Sequence, residues 1–432
     1  MAPLEAVLVG CGMRGRSVFG DYARRRPERL RILAVAEPDP ERRAATASEH
    51  GLSEARALGD WPQLFALPQL APVAIIATGD TLHVEPTLAA LERGYDVLLE
   101  KPIAPDPADC IRVVEAAEQS GRMLQICHVL RFTPFYNRVH EILASGALGD
   151  LVAIDLKEHV AHWHMTHSFV RGKFRNRALA APILLAKCCH DLDLLTWFAG
   201  GGAERVASFG SLQHYRSEHA PEGAPERCTD GCPAQATCIH DAVRFYAGPE
   251  DGIARSWPWA DVSPDPSHGA RRRALETGRY GRCVYRCDND VPDHQVVAIE
   301  FSSGLTATFT LHGHATHETR TIRATGTLGE LRGILHEGRI EVTRHGSLDV
   351  ERHELTTDPI GHFGGDGGLL DHFTDAGSRG AAAEVRASGR VALESHLIGF
   401  AAEEARSSGQ VVRMSDFRAG LGVRAAQPDS RV

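Results

Sequence analysis

The sequence holds no apolar run near the roughly 18 residues that a bilayer-spanning helix needs, so no membrane partner is expected. Its start, MAPLEAVLVGCG, lacks the basic segment, longer apolar core and small-residue cleavage site of a secretory signal, and a cytoplasmic location is expected. Excess positive charge is missing as well. The formal charge of −9 argues against nucleic acid as a partner, although 23 histidines soften that balance at lower pH. Internal repeats and low-complexity tracts are absent. What remains is 43% hydrophobic and 24% charged, the composition of an ordinary globular protein. At 432 residues it exceeds one ordinary core, so two domains or one large composite are expected.

The first 125 residues alternate short β-branched runs with helical stretches. AVLVG, RILAVAE, VAIIAT, DVLLEKP and MLQICHV read as strands, and segments such as TLHVEPTLAALERG repeat apolar residues at helical spacing. Near-continuous apolar strands between helices predict βαβ units around a parallel sheet buried on both faces. From about Leu151 longer strands with turns between them follow, interrupted by the helical AKCCHDLDLLTWFAG. The fold class is therefore α/β: a doubly wound N-terminal sheet over 1–125, then an α+β domain with a large, open, mostly antiparallel sheet over 126–415. Residues 216–290 form a Pro-, Gly- and charge-rich insertion without evident regular structure, read as a functional loop or a metal-organised segment. VALESHLIGFAAEEARSSG predicts an amphipathic helix ending at Gly409, and 416–432 reads as a frayed tail.

VLVGCGMRG carries G-x-G-x-x-G at Gly10, Gly12 and Gly15, after a strand and before a helix. The first glycine permits the tight turn, the second lets backbone N–H groups approach a pyrophosphate, and the third allows helix–strand packing. Glu37, ending the second strand, would accept hydrogen bonds from ribose hydroxyls and repel a 2′-phosphate, so NAD is expected over NADP. Arg14, Arg42 and Arg43 lie close enough in sequence to favour a phosphate instead.

LLEKPIA at residues 98–104, RFTPFYNRVHEILASGALGDL from Arg131, the H-x-x-D of His190 to Asp193, HFGGDGGLLDHF and SHLIGFAAEEARSSG together resemble the Gfo/Idh/MocA oxidoreductases. The likeness covers nearly the whole chain. It implies a Rossmann domain, a C-terminal domain whose open sheet often mediates assembly, hence a homodimer or homotetramer, and NAD(P)-linked chemistry on a sugar or polyol hydroxyl. Met13, Arg14, Thr78, His83, Glu100, Lys101, Pro102 and Arg131 are the further cofactor contacts it implies. Lys101 would touch the reacting hydroxyl, and His190 matches the histidine of the catalytic helix. Ala186 stands where many members have Asp, so a proton transfer that depends on that Asp does not carry over. A base poised near neutral pH suits hydroxyl deprotonation. Lys101 and Lys187, if convergent, would lower each other's pKa, and His190 can donate to or accept from the same oxygen. On one continuous helix Lys187, His190, Asp191 and Leu194 would share a face. Some relatives run redox-neutral glycoside hydrolysis, including sulfoquinovosidases. The resemblance thus leaves open net dehydrogenation, or C3 oxidation, elimination, water addition and re-reduction. A dinucleotide sensor without turnover is the alternative from another class.

HWHMTHSFVRGKFRNR, residues 162–177, gathers three histidines, three arginines and a lysine in this acidic chain. As a substrate loop, Trp163 and Phe169 would stack on a sugar, with His164 beside them. Arg171, Lys173, Arg175 and Arg177 would grip an anionic substituent such as a sulfonate. A metal site of His159, His162, His164 and His167, with 162 and 164 on one face of a strand, and a solvated charged loop are the competing readings. Ten cysteines in a reducing compartment are expected as thiols or metal ligands. Cys11, Cys110 and Cys127 read as buried inert thiols, and Cys188 and Cys189 as packing residues. Cys228, Cys232, Cys238 and Cys287, near His240 and Cys283, could hold a structural zinc, or be free thiols.

Overall fold

The computed structural model describes residues 2–356, 361–380 and 385–423. Strands β1 (Leu4–Val9), β2 (Leu30–Ala36), β3 (Ala57–Leu58), β4 (Val73–Ile76), β5 (Asp96–Leu99) and β6 (Leu124–Ile126) form one sheet in the order β3-β2-β1-β4-β5-β6. Every pairing in it is parallel. Val7, Leu8, Ile75, Ile76, Leu98 and Leu99 are all fully buried, as a sheet covered on both faces requires. The strand order reverses between β1 and β4, which opens a crevice at the carboxyl ends. Those ends carry the glycine turn, Glu37, Thr78, the Glu100–Lys101–Pro102 run and His128.

The second sheet combines β7 (Leu151–Ala161), β8 (Ala203–Ser211), β9 (His294–Phe301), β10 (Thr306–Ala315), β11 (Thr319–Gly326), β12 (Gly329–Ile334), β13 (Arg339–Arg344), β14 (Val350–Glu354) and β15 (Val412–Arg413). Its order is β14-β13-β12-β11-β7-β10-β9-β8-β15, antiparallel except for β7 beside β10. Burial alternates along β9 and β10, so one face is packed and the other open, as the sequence pattern predicts. The Cys189–Ala199 and Gly389–Ser408 helices lie on the packed face, and the second ends at Gly409 with φ +71°. The Gly365–Arg379 helix goes elsewhere. Its Leu369, Leu370 and Phe373 share a core with Leu4, Ala6 and Leu8 of the first sheet.

Four sequence expectations are corrected. AKCCHDLDLLTWFAG is not one helix: a short turn at Ile183–Ala186 breaks at Lys187 and Cys188 before Cys189–Ala199 begins, so Lys187 does not share a helical face with His190. Residues 162–171 are helical rather than a strand. The insertion contains a regular helix, His268–Thr277, whose arginine-rich sequence hides the pattern because only Arg271 and Leu275 are buried. Of the expected tail, Met414–Gly420 is helical and 424–432 lie outside the described residues.

Two buried contacts lock the layers together. Arg131 meets Asp193 in a bidentate pair, Nε to Oδ2 at 2.6 Å and Nη2 to Oδ1 at 2.9 Å. His396 on the Gly389–Ser408 helix accepts the Ile103 N–H at Nε2 (3.0 Å) and donates from Nδ1 to the Ala392 carbonyl (2.8 Å). That tautomer is neutral, and burial with His128 nearby depresses its pKa to about 3.

Replacing Arg131 with Met leaves Asp193 buried without its partner, so urea unfolding should show a loss of about 3–5 kcal/mol. The folded pKa of His396 lies below the unfolded value, so its contribution is present above about pH 6.5 and is lost as pH falls towards 3. Unfolding free energies measured at pH 7 and 4.5 should therefore fall by up to ~1.4 kcal/mol per pH unit for this histidine, and His396→Gln should flatten that slope.

Candidate functional site

The glycine turn is built for close backbone approach. Gly10 has φ +90°, and a Cβ there would stand 2.6 Å from the Ala77 carbonyl oxygen. A Cβ on Gly15 would overlap the Gly10 carbonyl at 1.9 Å, whereas at Gly12 nothing lies within 4 Å. The space over Gly12 is thus a cradle where a phosphate can meet N–H groups at the start of a helix. Glu37 is buried, and its carboxylate accepts the N–H groups of Cys11 (2.6 Å) and Asp39 (3.0 Å), which fixes it at the tip of β2. Each oxygen keeps a lone pair for a ribose hydroxyl. These residues fit a dinucleotide. Arg43 bonds the Glu37 carbonyl (2.6 Å), and Arg42 lies on the surface near Asp39. Met13 is exposed beside the turn.

Arg14 is held by two carboxylates. Its guanidinium spans Glu100 (Nε to Oε1, 2.5 Å) and Asp366 (Nη2 to Oδ1, 2.8 Å). Glu100 also accepts the N–H of Lys101 (3.1 Å). His83 is buried and bonds the Pro102 carbonyl (2.7 Å), and Thr78 closes its own loop on the Leu82 carbonyl (2.9 Å). Arg131, expected at the cofactor, is instead held by Asp193. Of the implied cofactor contacts, Arg14, Glu100, His83 and Arg131 are each engaged by other groups of the protein.

Lys101 is half-buried and donates from Nζ to the Ala186 carbonyl at 2.6 Å. His190 lies beside it, buried, with its pKa depressed by burial and then by the charge of Lys101. Nδ1 of His190 and both ring nitrogens of His128 have no hydrogen-bond partner among the described residues. With Cys189 these two histidines form the only group among the described residues whose His, Cys or carboxylate ligand atoms all lie within 4.8 Å.

Lys187 answers differently from expectation. Burial alone would lower its pKa, but Glu158 (3.2 Å) and Glu318 (2.7 Å) outweigh that and hold it above the usual lysine value. It is a fixed cation rather than a base. Glu158 also meets Arg320, which chelates Asp191 (2.7 and 3.2 Å). Three carboxyls face two permanent cations here, and burial pushes Glu158 up to about 7. Glu318 extends the network to His164 (Nδ1, 3.0 Å), which stands edge-on to Trp257 at 4.9 Å. Trp163 packs between Phe245 and Trp257, giving an aromatic wall next to the charged floor.

The cationic segment is largely occupied within the protein. Arg171 is fully buried and bonds the carbonyls of Arg282 (2.7 Å) and His240 (2.7 Å). Arg175 pairs with Asp288 (2.8 Å), the backbone N–H of Arg177 bonds Asp290 (3.0 Å), and Lys173 lies over Phe174 at 4.8 Å. The histidines diverge: His159 to His312, His162 towards His240, His164 to Glu318, and His167 to Tyr246 and Asp261. Phe169 is buried core. In the insertion Cys228, Cys232, Cys238, His240 and Cys283 line one small cavity. Cys287 is not among them and bonds the Cys283 carbonyl instead (3.3 Å). All ten cysteines are free, and those of the insertion do not converge as a metal set.

Sequence reasoning missed Glu158, Glu318, Arg320, His128, Trp257 and the pair His362–Asp366. Only the last carried a signal, the glycine-flanked HFGGDGG.

Residues 4–128 match the family described as an oxidoreductase family with an NAD-binding Rossmann fold, and residues 140–414 match its C-terminal alpha/beta domain. A putative oxidoreductase, YteT, of Bacillus subtilis is 23% identical over 343 residues, 75% of this chain and 76% of that protein. Inositol 2-dehydrogenase 4 of Saccharopolyspora erythraea is 32% identical over 225 residues, 51% of this chain and 60% of that relative. A solved levoglucosan dehydrogenase in complex with NADH and levoglucosan shares the fold at TM-score 0.71 and 17% identity, covering 95% of this chain and 99% of that one. With the NAD-binding Rossmann half and the C-terminal alpha/beta half both matched, the chain belongs to the Gfo/Idh/MocA oxidoreductase family.

Proposed function

We propose that this protein transfers a hydride between NAD and a ring carbon bearing a hydroxyl in a sugar or polyol, C3 where the ring is a pyranose. The observation that carries this reading is the meeting of Lys101 and His190 at the carboxyl edge of the nucleotide-binding sheet. The polyol and anhydrosugar chemistry in the names of its relatives supports the substrate class. When bound, NAD supplies the hydride acceptor.

The chain's own residues do the rest. Backbone N–H groups around Gly12 would hold the pyrophosphate, and Glu37 the ribose, with selectivity against a 2′-phosphate. The Ala186 carbonyl holds one proton of the Lys101 ammonium and leaves the others for the substrate oxygen. His190, with Nδ1 free, offers the neighbouring oxygen a second polar contact. The Trp163 and Trp257 wall suits the apolar face of a sugar ring. Arg171 and Arg175 belong to the protein's own packing, so a strongly anionic substituent is not part of this reading, nor is a zinc in the insertion. The open face of the nine-stranded sheet is the surface we assign to self-association.

Lys101→Met should lower kcat by on the order of 10²–10⁴ with myo-inositol or an aldose while leaving the NAD Kd within a few-fold. Unchanged turnover would sink the proposal. Net dehydrogenation and redox-neutral hydrolysis separate on a nitrophenyl glycoside: stoichiometric NADH marks the first, aglycone release without NADH the second. Glu37→Ala should weaken NAD binding roughly tenfold, a loss of about 1.4 kcal/mol, and narrow the preference over NADP in calorimetric titration.

A further inference from the structure

The alanine at 186 has a visible consequence. His190, four residues on, has a buried Nδ1 with no acceptor among the described residues, so none of them fixes its tautomer through that nitrogen. A neighbouring loop presents an imidazole that does have such a partner. Nδ1 of His362 lies 3.0 Å from Oδ2 of Asp366. A carboxylate can only accept, so Nδ1 carries the proton and Nε2 remains the basic nitrogen. The other oxygen of Asp366 takes the Arg14 guanidinium at 2.8 Å, which holds the carboxylate from both sides. Burial alone would raise the pKa of Asp366, but Arg14 and His362 outweigh it and keep the group ionised.

Position and exposure point the same way. The His362 ring centroid is 5.9 Å from that of His190, and Lys101 acts on the same His190 from its own strand end. The His362 side chain is 41% exposed, whereas His128 is fully buried. Of the imidazoles gathered here, His362 is the most exposed. The backbone that presents it is uphill: His362 and Phe363 have φ of +52° and +57°, a region disfavoured for residues with a Cβ. Strain of this kind persists where surrounding contacts impose it, and the Asp366 and Arg14 contacts do so here.

We propose that His362, oriented by Asp366, is the general base that takes the proton of the substrate hydroxyl, and that this dyad stands in for the carboxylate missing at 186. The inference rests on the sugar-oxidising reading above. As the O–H bond breaks, its proton passes to Nε2 of His362 and its electron pair becomes the second bond of the carbonyl. The C–H bond breaks with its pair, which leaves as hydride to NAD+. In the reverse direction the imidazolium returns the proton to the alkoxide. Lys101 donates a hydrogen bond to the same oxygen throughout and keeps its protons. The groups that face His362 are Asp366, with Arg14 and Glu100 behind it, and His190, with Lys101 beyond it.

The test compares His362→Gln, His362→Ala and Lys101→Met with the wild type, using NAD+ and myo-inositol or glucose, after thermal melting confirms folding. His362→Gln should lower kcat on the order of 10²–10⁴ and abolish the acidic limb of the pH profile, with the NAD+ Kd unchanged by calorimetry. Free imidazole should restore part of the activity of His362→Ala. A readout without turnover uses diethyl pyrocarbonate and peptide mass mapping: His362 should be modified in the free protein and protected by NADH with myo-inositol. Retention of wild-type kcat and pH profile in His362→Gln, with activity lost in Lys101→Met, overturns the dyad and leaves the sugar-oxidising reading standing. Retention in both variants overturns that reading too. Modification of His362 that NADH and myo-inositol leave unchanged also overturns the dyad.

Discussion

One guanidinium holds the site together. Arg14 follows the glycine turn, grips Glu100 at the tip of β5 and reaches Asp366, 352 residues further along the chain. Its three anchor points are the nucleotide cradle, the Glu100–Lys101–Pro102 corner and the loop that carries His362. A partly desolvated cation between two carboxylates is strong only while all three are present, because removing one leaves the others charged and unpaired. The Gly365–Arg379 helix makes this geometry available by packing Leu369 and Phe373 into the core of the first sheet. The position of Lys101 relative to the cradle thus depends on a helix from the far end of the sequence.

Charge is used differently on the other side of the cleft. The chain has only four lysines, Lys101, Lys157, Lys173 and Lys187, and two of them lie at the site. Lys101 is held by a neutral carbonyl, while Lys187 is clamped by Glu158 and Glu318. The first can turn its protons towards a ligand. The second is part of a buried lattice with Arg320 and Asp191 that sets the floor under His164 and the two tryptophans. Two residues of one chemical type, 86 positions apart in one chain, are assigned separate tasks by their partners alone.

Much of this was legible in the sequence. The two sheets, the glycine turn and Glu37 follow from periodicity and spacing, which are local properties. The Glu100–Lys101–Pro102 corner and His190 were legible through family likeness. Lys187 was misplaced because ILLAKCCHDLDLL contains no helix breaker, and the partners of the lysine, Glu158 and Glu318, lie far from it in sequence. The positive segment misled for a related reason. The partners of Arg171 are carbonyls 69 and 111 residues away, inside the insertion, and no local pattern announces them. Asp366 was visible as a glycine-flanked acid, but its pairing with Arg14 was not.

The first 131 residues are tied to the domain of the second sheet by contacts that include Ile103 to His396, Arg131 to Asp193 and Lys101 to the Ala186 carbonyl. Separating the lobes as rigid halves would break all three at once.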